Sequence, residues 1–175
     1  MVIWIIGLSG SGKTTLSELV YARLKPRLPH LVRLDGDVLR ELFGNDVDHT
    51  VEGRRRNAQR LSVLSKFLAD QGIHVVAAVL SIFPEWRDWN RKNIPGYAEV
   101  YLKASLATLR RRDKKNLYAR ALSGQLANVV GVDIPFPEPA AADLIIDNDV
   151  DRTQFVELTD RICALAAVRS ALGRT

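Results

Sequence analysis

The chain has a single cysteine, a single methionine, and aromatic residues at only 7% of its 175 positions. A lone Cys163 excludes an internal disulfide and suits a reducing, cytoplasmic setting. It lies in RICALAAV, an apolar helical pattern, where core packing outranks thiol reactivity. Long hydrophobic runs are missing too. The longest nearly apolar stretch, residues 75–83, falls well short of the roughly 20 residues a membrane helix needs. The apolar start has no basic leader and no small-residue cleavage site. It runs straight into Gly-Ser-Gly-Lys and so reads as a first strand, not a signal peptide. No repeat or low-complexity tract is visible. The scarce aromatics do not interleave with basic residues, as a platform for single-stranded nucleic acid requires.

What is present is a globular composition: 47% hydrophobic residues, enough for one domain over 1–175 with a real core. Net charge is +5, and the basic residues cluster in RRRNAQR (54–60) and RRRDKK (110–115). Each cluster is either a solvated helix face or a grip for an anionic partner.

Apolar strand patterns alternate with helical ones. Strands are expected at 2–6, 31–35, 73–80, 98–104 and 143–147. Helices are expected at 13–24, 37–43, 53–71 and about 152–171. In the first, Leu16, Leu19, Val20, Ala22 and Leu24 form the apolar stripe; in the third, Leu61, Leu64, Phe67 and Leu68 do. IHVVAAVL is continuously apolar, the mark of a strand buried on both faces. Five strands separated by helices predict an α/β fold, a five-stranded parallel sheet covered on both faces. The proline-rich DIPFPEPAAA segment reads as a surface connection.

GLSGSGKT, Gly7 to Thr14, fits the phosphate-binding pattern G-x-x-x-x-G-K-[ST], between an expected strand and helix. Glycines there let backbone N–H groups curl around phosphate oxygens, and the helix start adds its positive dipole end. Lys13 would reach the β- and γ-phosphates, and Thr14 would ligate Mg²⁺. A switch GTPase would need Asn-Lys-x-Asp, which NRKN (90–93) does not supply. A motor ATPase usually carries an acid where the strand ending AVLS has Ser81. A small-molecule kinase often places its acid after the second strand, as LDGDVLR does with Asp35 and Asp37. Both carboxylates then lie near Mg²⁺ and an acceptor hydroxyl, at the strand ends that face the ligand crevice.

GLSGSGKTT, LDGDVLR, RRRNAQR, VLS and RDKKNLYARALSGQLANVVGVDIP together resemble the adenylylsulfate (APS) kinase family, from about residue 2 to 147. The resemblance implies a P-loop kinase that moves the γ-phosphoryl of ATP, with Mg²⁺, to the 3′-hydroxyl of adenosine 5′-phosphosulfate. It implies nucleotide binding at Gly7, Leu8, Ser9, Gly10, Ser11, Gly12, Lys13, Thr14 and Thr15. It implies catalysis at Lys13, Asp37 and Ser81, with Thr14 and Asp35 at the metal. Substrate binding would fall to Asp35, Arg40, His49, Arg54, Asn57, Lys115, Leu117, Tyr118 and Val129. Asp113, Gly131 and Asp133 match the block of a mobile lid, about 110–131. A homodimer is the state the family favours.

The sequence also departs from that pattern. The family grips adenine between two phenylalanines, at positions that here hold His49 and Val129. GNDVDHT lacks the usual Gly-Phe-Ser, Gly53 replaces an acid before Arg54, and Ala127 replaces a lysine. Each lost stacking face removes roughly 1–3 kcal/mol of base binding. The phosphate-handling half of the site is intact while the base-handling half is altered. The alternative acceptor is therefore another nucleotide conjugate, such as a cytidine diphosphate derivative (a CDP-phosphoramidate, for example). A nucleic-acid-binding P-loop protein, drawn from the basic clusters, ranks below both; no nucleic-acid or membrane partner is expected.

Overall fold

The computed structural model describes residues 1–113, 115–149 and 155–173. Five parallel strands form one sheet: β1 (Val2–Ile6), β2 (Leu31–Asp35), β3 (His74–Val79), β4 (Tyr97–Lys103) and β5 (Leu144–Asp147). Their order is β2-β3-β1-β4-β5. Helices α1 (Lys13–Leu24), α2 (Gly36–Leu42), α3 (Val51–Asp70), α4 (Pro84–Asn93), α5 (Leu106–Arg111), α6 (Leu117–Leu122), α7 (Val156–Cys163) and α8 (Ala166–Leu172) surround it. The α/β P-loop architecture and the five-stranded parallel sheet agree with the expectation from sequence.

Every residue of β1 is buried, because the strand is central and both its faces are covered. Ile3 and Ile5 pack on one face with Leu16, Val20 and Leu24 of α1 and Leu158 and Ile162 of α7. Val2, Trp4 and Ile6 pack on the other with Leu39, Leu61 and Tyr101. This two-sided burial follows from the alternation of side chains along a strand.

Three expectations need correction. Leu19 and Phe67 lie on the solvent side, 38% and 59% exposed. Serines occupy buried places instead: Ser17 in α1, and Ser62 and Ser65 in α3. Small side chains let these helices sit close to their neighbours, which an apolar count does not register. Helix α4 was not anticipated, although Pro84 at its start, Glu85 in its first turn, and Arg91 and Lys92 in its last are ordinary boundary signals. The expected terminal helix is two helices. Leu165 adopts an extended ψ of 141° and starts α8 afresh, which turns Val168 into the core. The expected beginning of that helix, 152–154, lies outside the described residues. Cys163 packs against the core as expected, and burial raises its thiol pKa.

Among the described residues, no helix is long and apolar enough to cross a membrane.

Candidate active site

Strands β1, β2 and β3 end on the same side of the sheet, and their C-terminal ends open into a cavity of about 800 Å³. Side chains that lie far apart in sequence meet there.

The loop from Gly7 to Gly12 joins β1 to α1. Gly12 caps α1 at φ 99° in the left-handed region, and no side chain caps the helix. A Cβ would be strained at that φ. The first N–H groups of α1 are thus left for a ligand, the arrangement that binds phosphate. Ser9, Gly10, Gly12, Lys13, Thr14 and Thr15 line the cavity. Gly7, Leu8 and Ser11, expected alongside them, do not. A Cβ on Gly7 would lie 2.6 Å from the Leu102 carbonyl oxygen, so this residue packs beneath the loop. Leu8 points to a separate hollow of about 440 Å³. Ser11 is fully buried; its N–H donates to the Leu8 carbonyl (3.2 Å), and its own carbonyl accepts from the Asn148 amide (2.9 Å). These three shape the loop from below.

Lys13 is the first residue of α1, half-buried, and not part of a solvent-facing turn. Its Nζ donates to the Leu8 carbonyl at 2.8 Å. Burial pulls its pKa down to about 8, against the opposing pull of the Asp37 and Asp35 charges. Both carboxylates therefore lie close enough to feel the ammonium. Thr14 Oγ1 donates to Asp35 Oδ2 at 3.0 Å. Asp35 also caps α2, accepting from the Asp37 N–H at 3.0 Å. That cap fixes the turn and presents the exposed Asp37 at the cavity wall.

A hydroxyl and a carboxylate 3.0 Å apart are hard oxygen donors that fit Mg²⁺. Among the described residues, no group of three or more His, Cys, Asp or Glu could hold a metal. Thr14 and Asp35 are the pair that could hold such an ion, the remaining positions going to phosphate and water.

Arg40, Arg54, Asn57 and His49 line the same cavity. Arg40 is buried; its Nη1 donates to the Val47 and Asp48 carbonyls, both at 2.6 Å, while its Nε has no hydrogen-bond partner. Arg54 Nε donates to the His49 carbonyl (2.9 Å) and its Nη2 to the Asn128 carbonyl (2.8 Å). Both arginines therefore brace backbone, a task their motif match did not suggest. Burial, and next the Arg40 charge, lower the Arg54 pKa. Two cations close together in a cavity favour an anionic guest. Asn57 donates to the Gly36 carbonyl at 3.1 Å, which ties α3 to the Asp-Gly-Asp turn; its Oδ1 is buried without a partner.

The replacement of an acid by Gly53 has a steric cause. A Cβ there would fall 2.2 Å from Asp48 Oδ1 and 2.5 Å from the Asp48 carbonyl oxygen. The chain folds onto Gly53 because Asp48 Oδ1 accepts from Thr50 N–H and Oγ1 (3.1 and 2.5 Å), and Thr50 Oγ1 caps α3 at the Gly53 N–H. His49 is exposed, and burial of part of its ring is the first cause of its lowered pKa.

The segment expected as a lid packs against the loop. Leu109, Tyr118 and Val129 form a buried cluster against which Leu8 and Leu117 pack. The Tyr118 hydroxyl donates to the Ser9 carbonyl at 2.8 Å, so Tyr118 braces the P-loop rather than presenting that group to a substrate. Burial, then the Asp113 charge, pushes its pKa up to about 12. Asp113 caps α6 by accepting from the N–H groups of Leu117, Tyr118 and Ala119. Arg112 donates to the Asn148 carbonyl at 2.8 Å. Such anchors offset the repulsion expected of the basic run. Lys115 is exposed at the cavity. Val129 lines it but is only 4% exposed, and it offers no ring.

Ser81 sits at φ 54°, left-handed for a non-glycine residue. Its Oγ accepts from the Trp4 indole N–H at 3.2 Å, which supports an orienting place on the cavity wall. Sequence reasoning missed Asn128, Asn148 and Phe155 and placed Arg112 only within a basic cluster; all four line the same cavity. Asn148 follows β5, and the strand-end rule could have found it.

The profile of the adenylylsulphate kinase family matches residues 1–147. The chain belongs to this family. It is 40% identical over 164 residues to an adenylyl-sulfate kinase of Paraburkholderia xenovorans, covering 93% of this chain and 90% of the relative. It is 44% identical over 147 residues to a cytidine diphosphoramidate kinase of Campylobacter jejuni, covering 84% and 85%. The fold matches the Mycobacterium tuberculosis APS kinase solved with AMPPNP and APS, with a TM-score of 0.81, 30% identity and 99% and 97% coverage. The chain is an ATP-dependent phosphotransferase of the adenylylsulphate kinase family.

Proposed function

We propose that this kinase transfers the γ-phosphoryl group of ATP to the 3′-hydroxyl of a nucleotide with an extended anionic 5′ group, adenosine 5′-phosphosulfate first. The observation that carries this is a single cavity lined both by the phosphate-loop residues and by Arg40, Arg54 and Asn57. Ser9, Gly10 and Gly12 to Thr15 cradle the ATP phosphates, and Lys13 balances charge on the transferring group. Thr14 and Asp35 would hold Mg²⁺, which would supply neutralisation of phosphate charge. Asp37, whose charge acts on both Lys13 and Arg54, orients the acceptor hydroxyl and takes its proton. Arg40 and Arg54 attract the 5′ anion, Arg40 through its unpartnered Nε. The segment over 110–131 keeps water from the phosphoryl group.

A second acceptor, cytidine diphosphoramidate, is favoured by one observation. Val129 is sealed into the Leu109–Tyr118 cluster, so that wall supplies no ring to stack on adenine. The similarity to the Campylobacter jejuni enzyme points the same way. The test is kcat/KM for both acceptors with Mg·ATP. A preference for the phosphosulfate supports the first acceptor, and a preference for the cytidine compound replaces it with the second. Turnover of neither overturns both. Asp37→Asn should lower kcat at least a hundredfold with ATP affinity retained; retained turnover would remove Asp37 from its role as base.

A further inference from the structure

We propose that Asn128 is a specificity-determining residue that reads the hydrogen-bonding edge of the acceptor's base. This rests on the nucleotide-acceptor reading above. The backbone of Asn128 is fixed from two sides. Its N–H donates to Asp133 Oδ2 at 2.5 Å, and its carbonyl accepts from Arg54 Nη2 at 2.8 Å. The next N–H, of Val129, donates to Asp133 Oδ1 at 2.5 Å. The turn is thus held by main-chain contacts, with Asn128 at φ 64°. Its carboxamide makes no hydrogen bond to any described residue, although Asn128 lines the cavity.

The position is the right one for a base. Arg54 donates to the His49 carbonyl with Nε and to the Asn128 carbonyl with Nη2. One guanidinium therefore ties together the two segments, around 49 and 128–129, where stacking rings are replaced. The neighbours Leu126, Ala127 and Val129 have no polar side-chain atoms, so Asn128 is the hydrogen-bonding side chain of that wall. A carboxamide offers a donor and an acceptor side by side. It pairs with an exocyclic amino group beside an unprotonated ring nitrogen, an edge that adenine and cytosine share. Where stacking is weak, an edge contact is the remaining way to hold a base in register.

Asn also tolerates left-handed backbone, so a purely conformational role is the competing explanation. Two variants separate them. Asn128→Gly suits φ 64° at least as well, so a conformational role predicts no loss. Edge reading predicts at least a tenfold fall in kcat/KM for the better acceptor. Asn128→Asp keeps the shape and still accepts from the exocyclic amino group, but it sets an acceptor against the unprotonated ring nitrogen, so it too should lower kcat/KM for the better acceptor at least tenfold. The probes are adenosine and purine-riboside 5′-phosphosulfates, and cytidine and pyrimidin-2-one-riboside 5′-diphosphoramidates, the second of each pair lacking the amino group. In Asn128→Gly, the kcat/KM ratio of the amino base to its des-amino counterpart should fall at least tenfold from wild type. A ratio within threefold of wild type, or a loss under threefold in Asn128→Gly, overturns the proposal. If the wild-type enzyme phosphorylates none of the four, the acceptor reading itself fails. Active wild type with indifferent variants sinks only the role of Asn128.

Discussion

Arg54 offers the sharpest test of how the acceptor end is built. Its guanidinium spans two carbonyls, His49 at 2.9 Å and Asn128 at 2.8 Å, across a sequence separation of 74 for the second. Removing it as Arg54→Ala deletes two charge-assisted hydrogen bonds, each worth about 1.5–3 kcal/mol. It also removes half of the positive pair proposed to receive the 5′ anion. Part of that loss is repaid because water reaches the freed carbonyls, so a net loss of about 2–4 kcal/mol is expected. That corresponds to roughly 30- to 1,000-fold in acceptor kcat/KM. Arg54→Lys separates the two contributions. Lysine keeps the charge but has no planar fork to span both carbonyls. If bridging matters, Arg54→Lys stays at least tenfold below wild type. Steady-state kinetics at saturating Mg·ATP with varied acceptor, paired with a thermal melt, measure this. Full rescue by lysine would refute the bridging argument, and an equal rise in the ATP KM would refute placement at the acceptor end.

Three further outcomes follow from the geometry. The free Lys13 ammonium titrates near 8, and ATP phosphates favour its charged form, so binding above that pH takes up a proton. Mg·ATP affinity should weaken about tenfold from pH 7 to pH 9. Calorimetry in buffers of different ionisation enthalpy reads the uptake; a flat profile, or the same slope in Lys13→Met, contradicts it. Gly53→Asp, which restores the acid common in the family, drives Cβ into the Asp48 carbonyl and should cost about 2–4 kcal/mol by opening the α3 cap. Denaturant unfolding with no loss of stability would show that the turn yields freely. Hydrogen exchange across 110–131 should slow when an ATP analogue and Mg²⁺ bind; protection confined to the P-loop would argue against closure of that segment.

The phosphate end of the site was legible in the sequence because its chemistry is local. A strand, a glycine-rich turn and a helix start are consecutive, so Gly12, Lys13 and Thr14 announce themselves by spacing. Asp35 and Asp37 were legible because parallel strands end on one side and the Asp-Gly-Asp turn follows one directly. The alternation of apolar strands and helices likewise determined a covered parallel sheet. Tertiary structure alone decided the acceptor end. It is assembled from α2, α3 and the 126–133 turn, and no periodicity relates residue 54 to residue 128. It turned Arg40 and Arg54 into braces for backbone, sent Leu8 and Ser11 away from the cavity, and committed the Tyr118 hydroxyl to the Ser9 carbonyl. It also gave the reason for Gly53, a backbone contact of 2.5 Å that sequence spacing does not encode. Local chain geometry builds the phosphate-binding motif, while the proposed base site depends on side chains brought together by packing.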